Sequence, residues 1–215
     1  MTSPILSEAS SSVDLVPTPE SVMDILSRTG AYRKGHFVYP SGKHASHYFQ
    51  MPLAFRYYDN ARILSVGLSR MFRMEKAISS RLPKVSVISP SPGGIMVAFG
   101  VREALTAEQI YWAEMEDGKR QFRQFLSTGE VHPAIIVDDI LRSGKAMQET
   151  FDLCKEIGTE VIGCGAIVKF DDSPSEFNGV PVKSLLSFDV NFYQTEDEWK
   201  HSRSASDAEE EKVRF

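Results

Sequence analysis

Apolar residues recur along this chain in two alternating rhythms, one helical and one strand-like. Thr18, Pro19 and Glu20 form a helix-start signal: a capping hydroxyl, a first-turn proline and an acid at the positive end. Val22, Ile25 and Leu26 follow at helical spacing, predicting a helix that stops at Gly30. His47 to Met51 reads as a short strand, and Ala61 to Met74 as a helix with a broad apolar face. Val85 to Ser89 is a buried strand closed by Pro90-Ser91-Pro92-Gly93-Gly94, with a helix from Ile95 to Leu105 beyond it. Gln109 to Trp112 is a short strand, Glu114 to Arg120 is polar and turn-like, and Gln121 to Phe125 alternates as an edge hairpin strand does. Ala134 to Val137 is apolar throughout. A helix is predicted from Gly144 to Ile157, with Met147, Phe151, Cys154 and Ile157 roughly on one face and Gly158 as its stop. Val161 to Val168 is a further apolar strand.

Strands alternating with helices define the fold class as α/β, a mainly parallel sheet flanked by helices. Ligands of such sheets sit beyond the carboxyl ends of the strands, where the 90–94 loop and the 138–146 segment both fall. Residues 1–17 are serine-rich with few large apolar side chains and are expected to form a mobile arm. Residues 18–200 form one domain, and 201–215 an acidic, disordered tail. A length of 215 residues suits that single domain. The net charge of -5 argues against nucleic acid or an anionic membrane as the main partner. No apolar run approaches a membrane span, and Met1 to Pro17 lacks the basic and apolar regions of a secretory signal. Cys154 and Cys164 both lie in apolar periodic segments, as core thiols of a reducing compartment do, which makes the cytoplasm the expected location.

The chemistry concentrates in Ala134-Ile135-Ile136-Val137-Asp138-Asp139-Ile140-Leu141-Arg142-Ser143-Gly144-Lys145-Ala146. Adjacent carboxylates at a strand end repel each other and lose hydration. A ribose diol or a hydrated divalent cation would compensate them; a solvated turn with a capping aspartate is the other reading of the pair alone. Arg142 to Ala146 then supplies successive backbone N–H groups at a helix start, a hydroxyl and two cations, which together suit an anion. Gly144-Lys145 is not a nucleoside-triphosphate loop, because Asp139 and Ala146 stand where that motif requires Gly and Ser or Thr. A flavodoxin-like phosphate site leaves the acid pair unexplained.

Ile135 to Ala146 resembles the phosphoribosyl-pyrophosphate (PRPP) signature of type I phosphoribosyltransferases. The likeness extends to other segments. Gly35 to Phe49, with Ser41-Gly42 before the aromatic pair Tyr48-Phe49, is similar to the N-terminal segment of orotate phosphoribosyltransferases. Ser89 to Ile95 is similar to their pyrophosphate loop, and Glu156 to Gly163 to their helix-to-strand passage. In order and spacing the resemblance covers roughly residues 20–170.

The resemblance implies a type I phosphoribosyltransferase fold with a small N-terminal hood over about 18–55. It implies Mg²⁺-dependent displacement of pyrophosphate from C1 of PRPP by a nucleobase nitrogen, with orotate the first candidate, in pyrimidine nucleotide biosynthesis. Asp138 and Asp139 would take the ribose hydroxyls and, through water, Mg²⁺. Arg142, Ser143, Gly144, Lys145 and Ala146 would hold the 5′-phosphate, and Ser91, Pro92, Gly93 and Gly94 the pyrophosphate. Ser41, Gly42, Tyr48, Phe49, Lys169 and Phe170 would lie on the base side. A closing loop over 114–124 would bring Lys119, Arg120 and Arg123 to the leaving group as catalytic cations, although a solvated hairpin face accounts for the same three residues. A homodimer is implied as well.

Four positions depart from the family pattern. Arg142 stands where a small Thr is usual, and Lys145 where Gly, Ser or Thr is. Gln124 replaces the second residue of an arginine pair, and Lys169-Phe170 replaces Asp-Arg. A Val-Lys strand ending is similar to that of purine phosphoribosyltransferases. Two alternatives therefore stand beside orotate: a purine or other base as acceptor, and a PRPP-binding regulatory protein without catalysis.

Overall fold

Thr18 caps the first helix as its position predicts: its hydroxyl accepts the Ser21 N–H at 3.3 Å, and α1 runs Pro19–Arg28 with Val22, Ile25 and Leu26 buried. The computed structural model describes residues 16–122, 124, 126, 129–202 and 210–212. Val16 and Pro17, the end of the expected arm, already pack on the core, and residues 1–15 lie outside the described residues.

After α1 come an antiparallel pair, β1 (Tyr32–Val38) and β2 (His44–Phe49), a short helix α2 (Pro52–Phe55), α3 (Tyr58–Arg73) and a single turn α4 (Lys76–Ser79). The sequence pattern missed β1, because Arg33, Lys34 and Gly35 interrupt its apolar positions. The alternating layers then begin: β3 (Ser86–Ser89), α5 (Ile95–Leu105), β4 (Gln109–Glu116), β5 (Lys119–Phe122), β6 (Ala134–Leu141), α6 (Lys145–Glu156) and β7 (Val161–Phe170). The chain ends its main layer with β8 (Glu176–Phe177) and β9 (Val180–Phe188), then adds β10 (Phe192–Tyr193), α7 (Glu196–His201) and β11 (Glu210–Lys212).

The larger sheet has the order β5-β4-β3-β6-β7-β9-β8. Its five inner strands are parallel, and the short strands β5 and β8 pair antiparallel at the two edges. This is the predicted mainly parallel sheet. Ala134, Ile135, Ile136 and Val137 are fully buried because β6 is central and covered on both faces. Each such large aliphatic side chain contributes roughly 1.5–3 kcal/mol on leaving water. Leu64, Leu68 and Phe72 of α3 and Val97, Val101 and Leu105 of α5 belong to the core on one side, while Met147 and Cys154 of α6 belong to a second cluster.

The smaller sheet, β10-β2-β1-β11, draws on both ends of the chain. The hood expected from residues 18–55 alone is therefore completed by β10, α7 and β11. Trp199 of α7 stacks on buried His36 at 3.8 Å, and its indole N–H donates to Ser46 Oγ at 3.0 Å. Part of the expected disordered tail is likewise structured: the backbone of Glu210–Lys212 pairs in parallel with His36–Val38. Residues 203–209 and 213–215 lie outside the described residues. No helix among the described residues is long and apolar enough to cross a membrane.

Candidate active site

Asp138 and Asp139 do not follow the end of a strand, as their sequence context suggested, but lie within one. The β6 ladder continues to Leu141, with Asp138 opposite Ala166 and Ile140 opposite Val168 of β7. Asp138 is 6% exposed. Its Oδ1 accepts the Ser91 hydroxyl at 2.7 Å and the Asp139 N–H at 3.0 Å; Asp139 Oδ1 accepts the Ile140 N–H at 2.8 Å. Burial, and then the charge of Asp139, push the Asp138 carboxyl well above the usual carboxylate range despite the Ser91 bond. Burial raises Asp139 too. Two acids held at the cost of hydration on a central strand are the electrostatic signature of a functional site.

The 90–94 loop lies directly against them. A Cβ on Gly93 would stand 2.8 Å from Asp139 Oδ2, and one on Gly94 2.5 Å from Asp138 Oδ1, so only glycine permits this approach. Ser91 closes the loop on itself as well: its hydroxyl accepts the Gly94 N–H at 3.3 Å, and its carbonyl accepts the Ser89 hydroxyl at 2.6 Å. Pro92 accepts the Ile95 N–H at 3.4 Å, turning the chain into α5.

On the other side of the acids, Arg142, Ser143 and Gly144 connect β6 to α6. Gly144 has φ +75, a conformation that turns the chain into the helix, and the Lys145 N–H reaches Ser143 Oγ at 3.4 Å. Lys145 and Ala146 open α6, so the loop presents backbone N–H groups at a helix N-terminus as expected. The two cations are differently placed. The exposed Lys145 ammonium lies 3.7 Å from Glu149. The Arg142 guanidinium lies over two hood rings, 5.8 Å from the centre of Tyr39 and 5.6 Å from that of Phe192. Burial pushes the Tyr39 phenol up to about 12 even with Arg142 beside it.

Of the two loop cations among the described residues, the structure brings one to the site. Arg120 donates to the Pro90 carbonyl and pairs with Glu149 at 3.0 Å, its side chain only 10% exposed. Lys119 stands exposed beside a two-residue turn, Asp117-Gly118, whose positive φ angles of 49 and 78 make it a tight hairpin. Arg123 lies outside the described residues. The polar, turn-like stretch Glu114 to Arg120 is therefore mostly hairpin strand, β4 reaching Glu116.

The six base-side residues do not converge. Ser41 and Gly42 form the exposed β1–β2 turn, where the Gly42 N–H donates to Tyr39 O at 2.8 Å. Tyr48 and Phe49 are neighbours on one strand and point to opposite faces. Tyr48 packs on Phe37 and Tyr39, whereas Phe49 meets Tyr32, Phe188 and Phe170. Phe170 is 3% exposed between Phe49 and Phe192, so it joins the hood to the end of β7 and presents little surface to a ligand. Half-buried Lys169 turns its ammonium toward the Phe170 carbonyl at 3.4 Å. Glu149, Tyr39 and Phe192 went unnoticed in the sequence. Tyr39 sits in the segment that carried the resemblance, but neither Glu149 nor Phe192 has a local signal.

The chain is 32% identical over 178 residues to the orotate phosphoribosyltransferase of Thermotoga petrophila, covering 82% of this chain and 89% of the relative. It is also 32% identical over 178 residues to that of a Thermoanaerobacter species, covering 83% and 89%. Among solved structures, the orotate phosphoribosyltransferase of Aeropyrum pernix superposes with a TM-score of 0.63 at 18% identity, covering 77% of this chain and 93% of that one. The adenine phosphoribosyltransferase of Thermoanaerobacter pseudethanolicus gives 0.52 at 12% identity, covering 66% and 88%. No family model matches the chain. The parallel sheet with its hood is thus the type I phosphoribosyltransferase fold, and with one third of its residues shared across most of both lengths, the chain belongs to the orotate phosphoribosyltransferase family.

Proposed function

We propose that this protein transfers the 5-phosphoribosyl group of PRPP to orotate: a ring nitrogen of the base, its proton passing to water or the departing pyrophosphate, bonds to C1 as the C1–oxygen bond to pyrophosphate breaks. The observation that carries this reading is the buried acid pair set between two loops that each suit an anion. Asp138 and Asp139 accept the ribose hydroxyls, and the N–H groups of residues 143–146 hold the 5′-phosphate. Ser91 to Gly94 cradle the pyrophosphate, Ser91 giving up its bond to Asp138 as ligand enters. Positioning and charge stabilisation account for most of the catalysis, since no side chain here need form a covalent intermediate.

The donor set fits Mg²⁺. Two carboxylates without a third metal-ligating side chain among the described residues suit a cation that keeps waters and borrows substrate oxygens. When bound, Mg²⁺ would neutralise charge developing on the pyrophosphate. A homodimer is supported by exposed apolar side chains on α3 and α5: Tyr58 and Met96 line a groove of about 380 Å³, and Phe99 of α5 is exposed as well. Two buried, unpaired thiols support a reducing compartment, the cytoplasm.

A second acceptor class, another nucleobase, is favoured by Lys169-Phe170, since buried Phe170 offers the orotate carboxylate no partner. An absorbance or radiolabel assay with PRPP, Mg²⁺ and a panel of orotate, uracil, adenine, guanine and hypoxanthine separates the readings. Turnover of orotate alone is expected. Turnover of a purine alone replaces the substrate, and PRPP binding without turnover makes the protein a regulator.

A further inference from the structure

Glu149 has no part in the ligand contacts described above, yet it receives a cation from each side of the site. It lies in the second turn of α6, with Oε2 3.0 Å from Arg120 Nε and Oε1 3.7 Å from Lys145 Nζ. Arg120 comes from β5, beyond the hairpin turn, and its other end donates to the carbonyl of Pro90. Pro90 directly precedes Ser91, whose hydroxyl holds Asp138. A continuous line of polar contacts therefore runs from α6 through Arg120 to the 90–94 loop and back to the acid pair.

We infer that Glu149 is a positioning residue: it holds Arg120 against the Pro90 carbonyl and so fixes the 90–94 loop for its anionic ligand. The physical reason is the burial of Arg120. A guanidinium with a tenth of its side chain exposed is costly when a lone carbonyl is its partner. The Glu149 carboxylate supplies the compensating charge in hydrogen-bonding geometry, which keeps Arg120 out of solvent and on the loop. By also attracting Lys145, the same carboxylate ties the start of α6 to that arrangement. The role assigned to the loop rests on the function proposed above; the mechanical link does not.

The test uses the full chain with Glu149→Ala and Glu149→Gln, the second keeping size and one hydrogen bond should the first fail to fold. In ligand-free protein, the Gly94 amide, which donates to Ser91 Oγ, should exchange with deuterium at least tenfold faster in Glu149→Ala, with a smaller change in Glu149→Gln. In turnover, the KM for PRPP should rise about tenfold while the KM for the base stays within twofold. Because Glu149 acts through Arg120, the double variant Arg120→Gln/Glu149→Gln should be no worse than Arg120→Gln alone, the non-additivity expected of coupled partners. Unchanged exchange at Gly94 in a folded variant, or additive losses, overturns the inference. Faster exchange in a protein that turns over no base upholds it and refutes the proposed reaction.

Discussion

Replacing Asp138 with Asn separates the cost of the acid pair from its use. Asparagine keeps an oxygen able to accept from Ser91 Oγ and the Asp139 N–H, so two hydrogen bonds of about 1 kcal/mol each survive. What disappears is a buried charge beside another. Two unit charges about 4 Å apart in an effective dielectric of ~20 repel by roughly 4 kcal/mol. Burial, the larger cause, disfavours the charge as well, and sharing a proton relieves part of the repulsion, leaving a net cost on the order of 2 kcal/mol at neutral pH. For a chain of this size that corresponds to about 5 °C in Tm. The sign follows from the direction of the shift. The folded-state acidity of Asp138 is weakened relative to its ordinary value of 3.8, so the native state is favoured while the carboxyl holds its proton. That contribution is full below 3.8 and is lost as pH rises through the higher folded value. Asp138→Asn should therefore melt about 5 °C above the parent at pH 7.5 in EDTA, and the gap should shrink toward zero near pH 4. Activity should move the opposite way, with kcat/KM falling at least a hundredfold. Scanning calorimetry across pH checks the first part. A variant that melts at or below the parent at pH 7.5, or a gap that ignores pH, refutes the electrostatic account.

Two further outcomes follow from the hood. Phe170→Ala should cost about 3–4 kcal/mol in urea unfolding, because a 3%-exposed ring between Phe49 and Phe192 leaves a cavity on removal; a loss under about 1 kcal/mol would show that it does not anchor the hood. Arg142→Thr, which removes both ring contacts, should lose about 1 kcal/mol of stability and weaken PRPP binding measured by calorimetry, whereas unchanged values in both would leave Arg142 an idle surface cation.

Features that depend on neighbours in sequence were legible. Thr18-Pro19-Glu20 announced α1, continuous burial announced β3, β6 and β7, and Gly144 marked the turn into α6. The acid pair and the two loops beside it were readable because their chemistry is local. The extension of β6 through Asp138 to Leu141 was hidden, since charged side chains end an apolar run without ending a backbone ladder. The arrangement of the base-side residues was hidden for a different reason. Tyr48 and Phe49 look like one aromatic unit in sequence, but the pleat sends them to opposite faces. Glu149 escaped notice because its partners are 29 residues away on β5 and one turn back on its own helix. The hood's outer strands come from the end of the chain, and two- and three-residue strands carry no periodicity to detect.

The continuation of β6 beyond Val137 has a bearing on how the molecule divides into still and moving parts. Groups on a buried strand that is laddered to β7 and packed under the 90–94 loop open rarely, whereas exposed loops and hairpin tips rearrange readily. Asp138 and Asp139 thus form the stationary frame of reference. Any motion that admits or encloses a ligand falls to the segments around them, and the entropy of aligning the two carboxylates has already been lost during folding rather than at each encounter.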